Sequence, residues 1–135
     1  MALGPSSYLV TAWLNATFNN TSFVVAQAYL KLHTADPGAA GATAPATHTT
    51  RYPVAMGTPS TAAGVTTISN DAQLQITGLA ATGTEDASHY SLWDAVGPAG
   101  GNFLGSGLIN ASAFTAGDTL TFAIGDIDIA LNVAA

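Results

Sequence analysis

From Ser22 onward, apolar residues return with a period of two, and clusters of turn-forming residues interrupt them at short intervals. That pattern constrains the fold most, because successive side chains of a strand point to opposite faces of a sheet. Within residues 25–33, Ala26, Ala28, Leu30 and Leu32 share one face, and Gln27, Tyr29, Lys31 and His33 share the other. Further strand candidates are 51–56, 65–69, 73–76, 88–95, 103–109, 119–124 and 127–133. Asp36-Pro37-Gly38, Gly57-Thr58-Pro59, Ser69-Asn70-Asp71, the Gly-rich stretch 97–101 and Ala116-Gly117-Asp118 separate them. In such turns Pro presets φ and Gly permits a positive φ. About eight short strands punctuated in this way predict a mainly β fold, an antiparallel, jelly-roll-like β-sandwich. Leu120, Phe122 and Ile124 alternate with Thr119, Thr121 and Ala123, as Ile127, Ile129 and Leu131 do with Asp126, Asp128 and Ala130. Each strand thus predicts one dry and one wetter face. Residues 39–50, small and polar, read as a surface loop.

The single helical signal comes earlier. Gly4-Pro5-Ser6-Ser7 offers serine N-caps, and Leu9, Trp13 and Ala16 fall at i, i+4 and i+7 with Val10 and Leu14 beside them. Asn19-Asn20 ends the pattern, so a short α-helix is expected over 6–18. Its apolar stripe must pack on something, which makes Leu9, Trp13, Leu14 and Phe18 the candidate docking residues. With no repeat, heptad run or linker in its 135 residues, the chain reads as one domain, helix 6–18 followed by a sandwich over 22–135.

Charge narrows the function. Only Lys31 and Arg51 are basic, against eight carboxylates, so this acidic chain carries a net charge of −6. Nucleic acids and anionic membranes both need a basic footprint that is missing. No stretch approaches a membrane span, and the start of the chain lacks the basic residue and apolar run of a secretory signal. Without cysteine, disulfides, thiol catalysis and cysteine-bound metals are excluded. A surface this poor in charge, built largely of Thr, Ser, Asn, Gly and Ala, is expected to be covered in an assembly, by self-association or on a scaffold.

No constellation for catalysis stands out. His33, His48 and His89 lack ligand spacing, and they read as packed or solvent-facing residues, with no metal or cofactor expected. Asp126 and Asp128 share a strand face but sit in no calcium loop, and edge protection is the better reading. Glu85, Asp86 and Asp94 are the carboxylates a glycosidase would use, yet Glu85 and Asp86 are adjacent and point apart. Gly105-Ser106-Gly107 is no nucleophile elbow, and the Gly-rich stretch 97–101 has neither the Lys nor the helix of a phosphate cradle. The glycosylation-type triplets at Asn15, Asn19, Asn20 and Asn110 read as incidental to a Thr- and Asn-rich chain. A non-enzymatic role is therefore expected.

Several segments, taken in order, carry a resemblance: Tyr8-Leu9, Trp13-Leu14-Asn15 and Phe18, the run from Tyr29 through Leu32-His33-Thr34-Ala35-Asp36-Pro37-Gly38 to Gly41, then Arg51-Tyr52-Pro53-Val54. Ile68-Ser69-Asn70, His89 through Trp93-Asp94-Ala95, Gly100-Gly101-Asn102-Phe103-Leu104 and Gly117-Asp118-Thr119-Leu120 follow. Together they resemble a family of short tailed-bacteriophage virion proteins with an LHTxDPGxxG signature, whose members are labelled tail fibre, minor tail or capsid-surface proteins. The resemblance implies a non-enzymatic structural role. Asp36, Pro37, Gly38, Trp93, Asp94, Gly100 and Gly101 then read as fold-determining, with Trp93 filling the core between sheets and Asp94 capping a turn. The partner expected is the major capsid protein or another virion protein, together with further copies of the chain in a trimer or dimer. With no shaft-like segment, decoration of the capsid surface is favoured over a tail position. The alternative is a tail-fibre protein that reads host-surface carbohydrate through Tyr90, Trp93 or Tyr52.

Overall fold

Ser6 opens the helix in the way its position predicts. Its extended backbone lets the hydroxyl accept the Leu9 N–H at 3.1 Å, while the same hydroxyl donates to the Phe103 carbonyl. The cap therefore also fastens the helix to a distant strand, and the Ser6 N–H adds a bond to the Leu104 carbonyl. The structure, a computed structural model, describes residues 3–133. Its elements run β1 (Gly4–Pro5), α1 (Ser7–Phe18), β2 (Ala28–His33), β3 (Tyr52–Val54), β4 (Ser60–Ala62) and β5 (Val65–Ser69). They continue with β6 (Leu74–Ile76), β7 (Glu85–Trp93), β8 (Phe103–Phe114), β9 (Leu120–Phe122) and β10 (Asp128–Asn132).

All pairings are antiparallel. One sheet has the order β1-β8-β7-β2-β3, a second β10-β5-β4, and β6 with β9 forms a separate ribbon. The fold is mainly β with one short helix, and the arrangement is sandwich-like. Its second layer is split into the three-stranded sheet and the ribbon. Two short strands, β1 and β4, escape the sequence pattern because neither Gly4-Pro5 nor Ser60-Thr61-Ala62 carries apolar alternation. Conversely, residues 22–27 lie outside any strand, so β2 begins only at Ala28.

Register explains the core. Leu30 pairs with Leu92 and Leu32 with Tyr90, and all four are buried on one face of the large sheet. They pack with Ile76, Leu120, Phe122, Ile127 and Ile129 from the smaller sheets and their connections. Tyr90 crosses this layer: its hydroxyl donates to the Asp128 carbonyl at 2.8 Å and accepts the Asp128 N–H at 2.9 Å. Two glycines of β8 make room. A Cβ at Gly107 would meet the Tyr90 ring and hydroxyl, and one at Gly105 would press on the backbone of β1.

The opposite face of the large sheet is not the wet one that alternation predicts. Lys31, His33, Ser91 and Ser106 are all buried there. Residues 34–51 lie over them, so this segment is a cover in which Ala46, His48 and Arg51 are buried, not a surface loop throughout. Trp93 belongs to this face too, half-buried against Phe103 with the Arg51 guanidinium 4.0 Å from its ring centroid. It therefore does not fill the space between the sheets, because the alternation that buries Leu92 turns Trp93 the other way. Ile124, expected on the dry face with Leu120 and Phe122, is exposed, because β9 ends at Phe122.

Replacing Tyr90 with Phe leaves the Asp128 N–H and C=O without their buried partner at unchanged packing. Chemical unfolding of Tyr90→Phe should show a loss of about 1–3 kcal/mol.

Candidate functional site

The four candidate docking residues separate in space. Leu9 is buried in the core and faces the sheet, so it offers nothing to a partner. Trp13 is half-buried against that core. Leu14 is 53% exposed and Phe18 77% exposed, on the outer side of α1. The helix thus uses one stripe to sit on the protein and leaves a second apolar stripe in water. Asn19 closes its end by donating to the Asn15 carbonyl.

Beneath the helix lies an open apolar cavity of about 700 Å³. Leu9, Trp13 and Ala16 of α1 form one wall, and Leu104, Ile68 and Ile129 contribute to the sheet side. No ionisable side chain lines it. The charge pattern reinforces this neutrality, since the first Lys, Arg, Asp or Glu in the sequence is Lys31. Both basic residues are buried, while Asp71, Asp86, Asp118, Asp126 and Asp128 are exposed elsewhere. The cavity escaped sequence reasoning because its walls come from segments more than a hundred residues apart. The 3.6-residue stripe showed only the helical wall.

The fold-signature residues fall in two places: Asp36-Pro37-Gly38 follows β2 beyond His33, which pairs with His89, and Trp93-Asp94 lies at the other end of that pairing, where Trp93 meets Tyr29. The Gly38 N–H donates to Asp36 Oδ1 at 2.8 Å, and Gly38 has φ +73°, a turn that needs Gly. Asp94 accepts the Asn102 N–H at 2.6 Å and its side-chain amide at 2.8 Å, closing the β7–β8 connection through Gly100 (φ +90°) and Gly101 (φ +74°). Arg51 donates to the carbonyls of Ala95 and Gly100, both at 2.9 Å, and so pins the same hairpin from below. Pro37 is buried.

One arrangement has the look of a catalytic pair. Ser91 Oγ lies 2.8 Å from His33 Nε2, and His33 Nδ1 lies 2.8 Å from the Thr43 carbonyl. Yet His33 and Ser91 are fully buried, and Trp93 Nε1 donates to the same Ser91 oxygen. This is a closed hydrogen-bond chain within the covered face, with both side chains away from solvent. The carboxylates are likewise occupied singly: Glu85 accepts the Thr47 N–H, and Asp126 accepts the Ala123 N–H. Among the described residues, no group of three or more His, Asp or Glu side chains is placed to hold a metal ion. No described helix is long and apolar enough to cross a membrane. Of the aromatic residues expected to read a glycan, Tyr90 is buried, Trp93 lies under Arg51, and Tyr52 stacks on His48.

The histidines give a pH dependence with a definite sign. Burial holds His33 below its ordinary value, and the nearby Lys31 ammonium adds to the effect against the opposing bond to Thr43. Burial also holds His48 down, where Nδ1 accepts the Ala80 N–H at 3.0 Å and Nε2 lies 2.8 Å from the Tyr52 hydroxyl. Protonation would break the bond that each ring accepts. The unfolded chain therefore takes up more protons as pH falls through the ordinary histidine value of 6.5. Melting temperature should be higher at about pH 7.5 than at about pH 5.5, and His33→Gln should flatten that slope.

In comparison with known proteins, the family model described as Podophage GP4 fiber I protein gp80 matches residues 4–130. No curated protein matches the sequence.

Proposed function

The chain belongs to the podophage GP4 fiber I protein gp80 family, and from that premise we propose that it is a non-enzymatic structural subunit of a virion fibre. The observation that carries this reading is the extent of the match, which takes in α1 and reaches from β1 into β10. Membership makes this a phage virion protein, and the family description favours the fibre over capsid decoration. The outer stripe of α1, with Leu14 and Phe18 in water, is the surface by which the subunit joins the assembly. A structural role fits the interior as well, because the polar groups that could do chemistry are spent on each other in a closed layer. The two basic residues are used inside the fold, which leaves no exposed cation for an anionic substrate or polymer.

Immunogold electron microscopy of purified particles tests the placement, together with copy counting by quantitative mass spectrometry. Label on projecting fibres, at a copy number well below that of the major capsid protein, is the expected result. Uniform label over the shell with near-stoichiometric copies would return the protein to capsid decoration. Absence from the particle would sink both.

A further inference from the structure

We propose that the cavity beneath α1 binds a small neutral ligand, a hydrocarbon body that carries a hydroxyl group. Such a site adds to a structural role in the fibre and does not depend on it. Folded interiors are close-packed, with few voids larger than a water molecule. The space between α1 and the two sheets, about 700 Å³, departs from that rule. The sequence keeps it open: Ala16, Ala26, Ala28 and Ala55 lie along its lining, where larger apolar side chains would close it. Ala28 shares a face of β2 with the buried Leu30, so its methyl group is turned to the core side. An apolar cavity of about 150 Å³ already accepts benzene, and sites for small molecules run from about 300 to 1,000 Å³.

The few polar groups of the lining select the ligand. Gln27 Nε2 donates to the carbonyls of Ala28 at 3.0 Å and of Val54 at 2.8 Å. Both partners are acceptors, so the carboxamide can face them only through its nitrogen. Its Oε1 is thereby fixed as an acceptor, and it takes no hydrogen bond from any described residue. The Thr17 hydroxyl is already spent on the Trp13 carbonyl at 2.8 Å. The Trp13 indole N–H, which belongs to the same lining, has no hydrogen-bond partner among the described residues. One free acceptor and one free donor match a hydroxyl, which both donates and accepts.

Charge sets the other limit. No ionisable side chain lines the space, so a charged group entering it would lose hydration without gaining a counter-charge. A carboxylate would also set its oxygens against Gln27 Oε1, on a chain whose net charge is −6. An alcohol is therefore preferred over the fatty acid of the same length.

Titration calorimetry of the full chain with octanol, its isomer heptyl methyl ether and sodium octanoate at neutral pH tests this. Octanol should bind saturably. The ether, which accepts a hydrogen bond but cannot donate one, should bind about fivefold more weakly, the effect of one neutral hydrogen bond. Octanoate should bind more weakly than either. Ala28→Phe fills the space from β2 and should abolish octanol uptake with the melting temperature kept. Gln27→Met should lower octanol to the affinity of the ether and leave the ether unchanged, whereas a merely structural Gln27 would weaken both alike. Failure of the wild type to bind octanol overturns the proposal, as does octanol binding that survives Ala28→Phe. An ether that binds the wild type as tightly as octanol also overturns it, and would make the cavity a seat for any apolar group, a partner's side chain included. That comparison needs only the wild type, so it stands whether or not either variant folds.

Discussion

The Tyr90 hydroxyl sets the distance between the two layers of this protein. It is fully buried, and it holds both backbone polar groups of Asp128, the first residue of β10. One residue later, Ile129 forms part of the cavity wall, while Leu92, two residues beyond Tyr90 on the same face of β7, forms another part. Two walls of the cavity are therefore positioned by one side chain, and its depth follows from the length of a tyrosine. Burial raises the Tyr90 phenol well above its ordinary value, which favours the neutral O–H that donates to the Asp128 carbonyl. Gly107 of β8 makes room for this crossing, since any Cβ there would displace the ring.

A second polar anchor holds the other end. Asn70 is buried, and its carboxamide donates to the carbonyls of Ala72 and Ala123 while accepting the N–H groups of Gly125 and Ile127. All four hydrogen-bonding directions of the amide are thereby used, which is what a buried amide requires. Asn70 joins the end of β5 to the turn between β9 and β10. The split second layer thus behaves as one wall although β6 and β9 share no ladder with β5.

The architecture was legible where local chemistry decides it. Ser6 as N-cap, Asn19 as helix end, the Asp36-Pro37-Gly38 turn and the Asp94 clamp on the hairpin all follow from residues a few positions apart. What alternation cannot show is whether a strand's second face meets water or a covering segment. Gln27, Tyr29, Lys31 and His33 look like a wet face, yet residues 34–51 fold back over it, and Thr43 and Ser91 satisfy His33. Trp93 was misplaced for the same reason. On the helix, apolar character alone groups Leu9 with Phe18, but nine residues place them on opposite sides, and the structure buries the first and exposes the second. The stripe is wider than the seat, and only tertiary packing shows which part of it remains free.

The distribution of charge then connects fold to assembly. A chain with two cations has few means of making specific polar contacts, and this one places both inside. Arg51 stacks on Trp93 and grips the hairpin, while Lys31 lies buried in the covered face with its proton affinity lowered by burial and by Arg51. Ion pairs that need an exposed Lys or Arg of this chain are thereby removed from the list of contacts available to the surface. A fibre subunit that meets a like copy has no exposed Lys or Arg to offer the copy's carboxylates, which leaves hydrogen-bonded edges and apolar burial. The seat of α1 supplies the second. A helix fastened by Leu9, Trp13 and the Ser6 cap presents Leu14 and Phe18 on its outer side, away from the cavity beneath it. The same scarcity of charge that hides chemistry from the sequence therefore leaves apolar groups, such as Leu14 and Phe18 on the outer side of α1, among the few features of the surface able to make strong contacts.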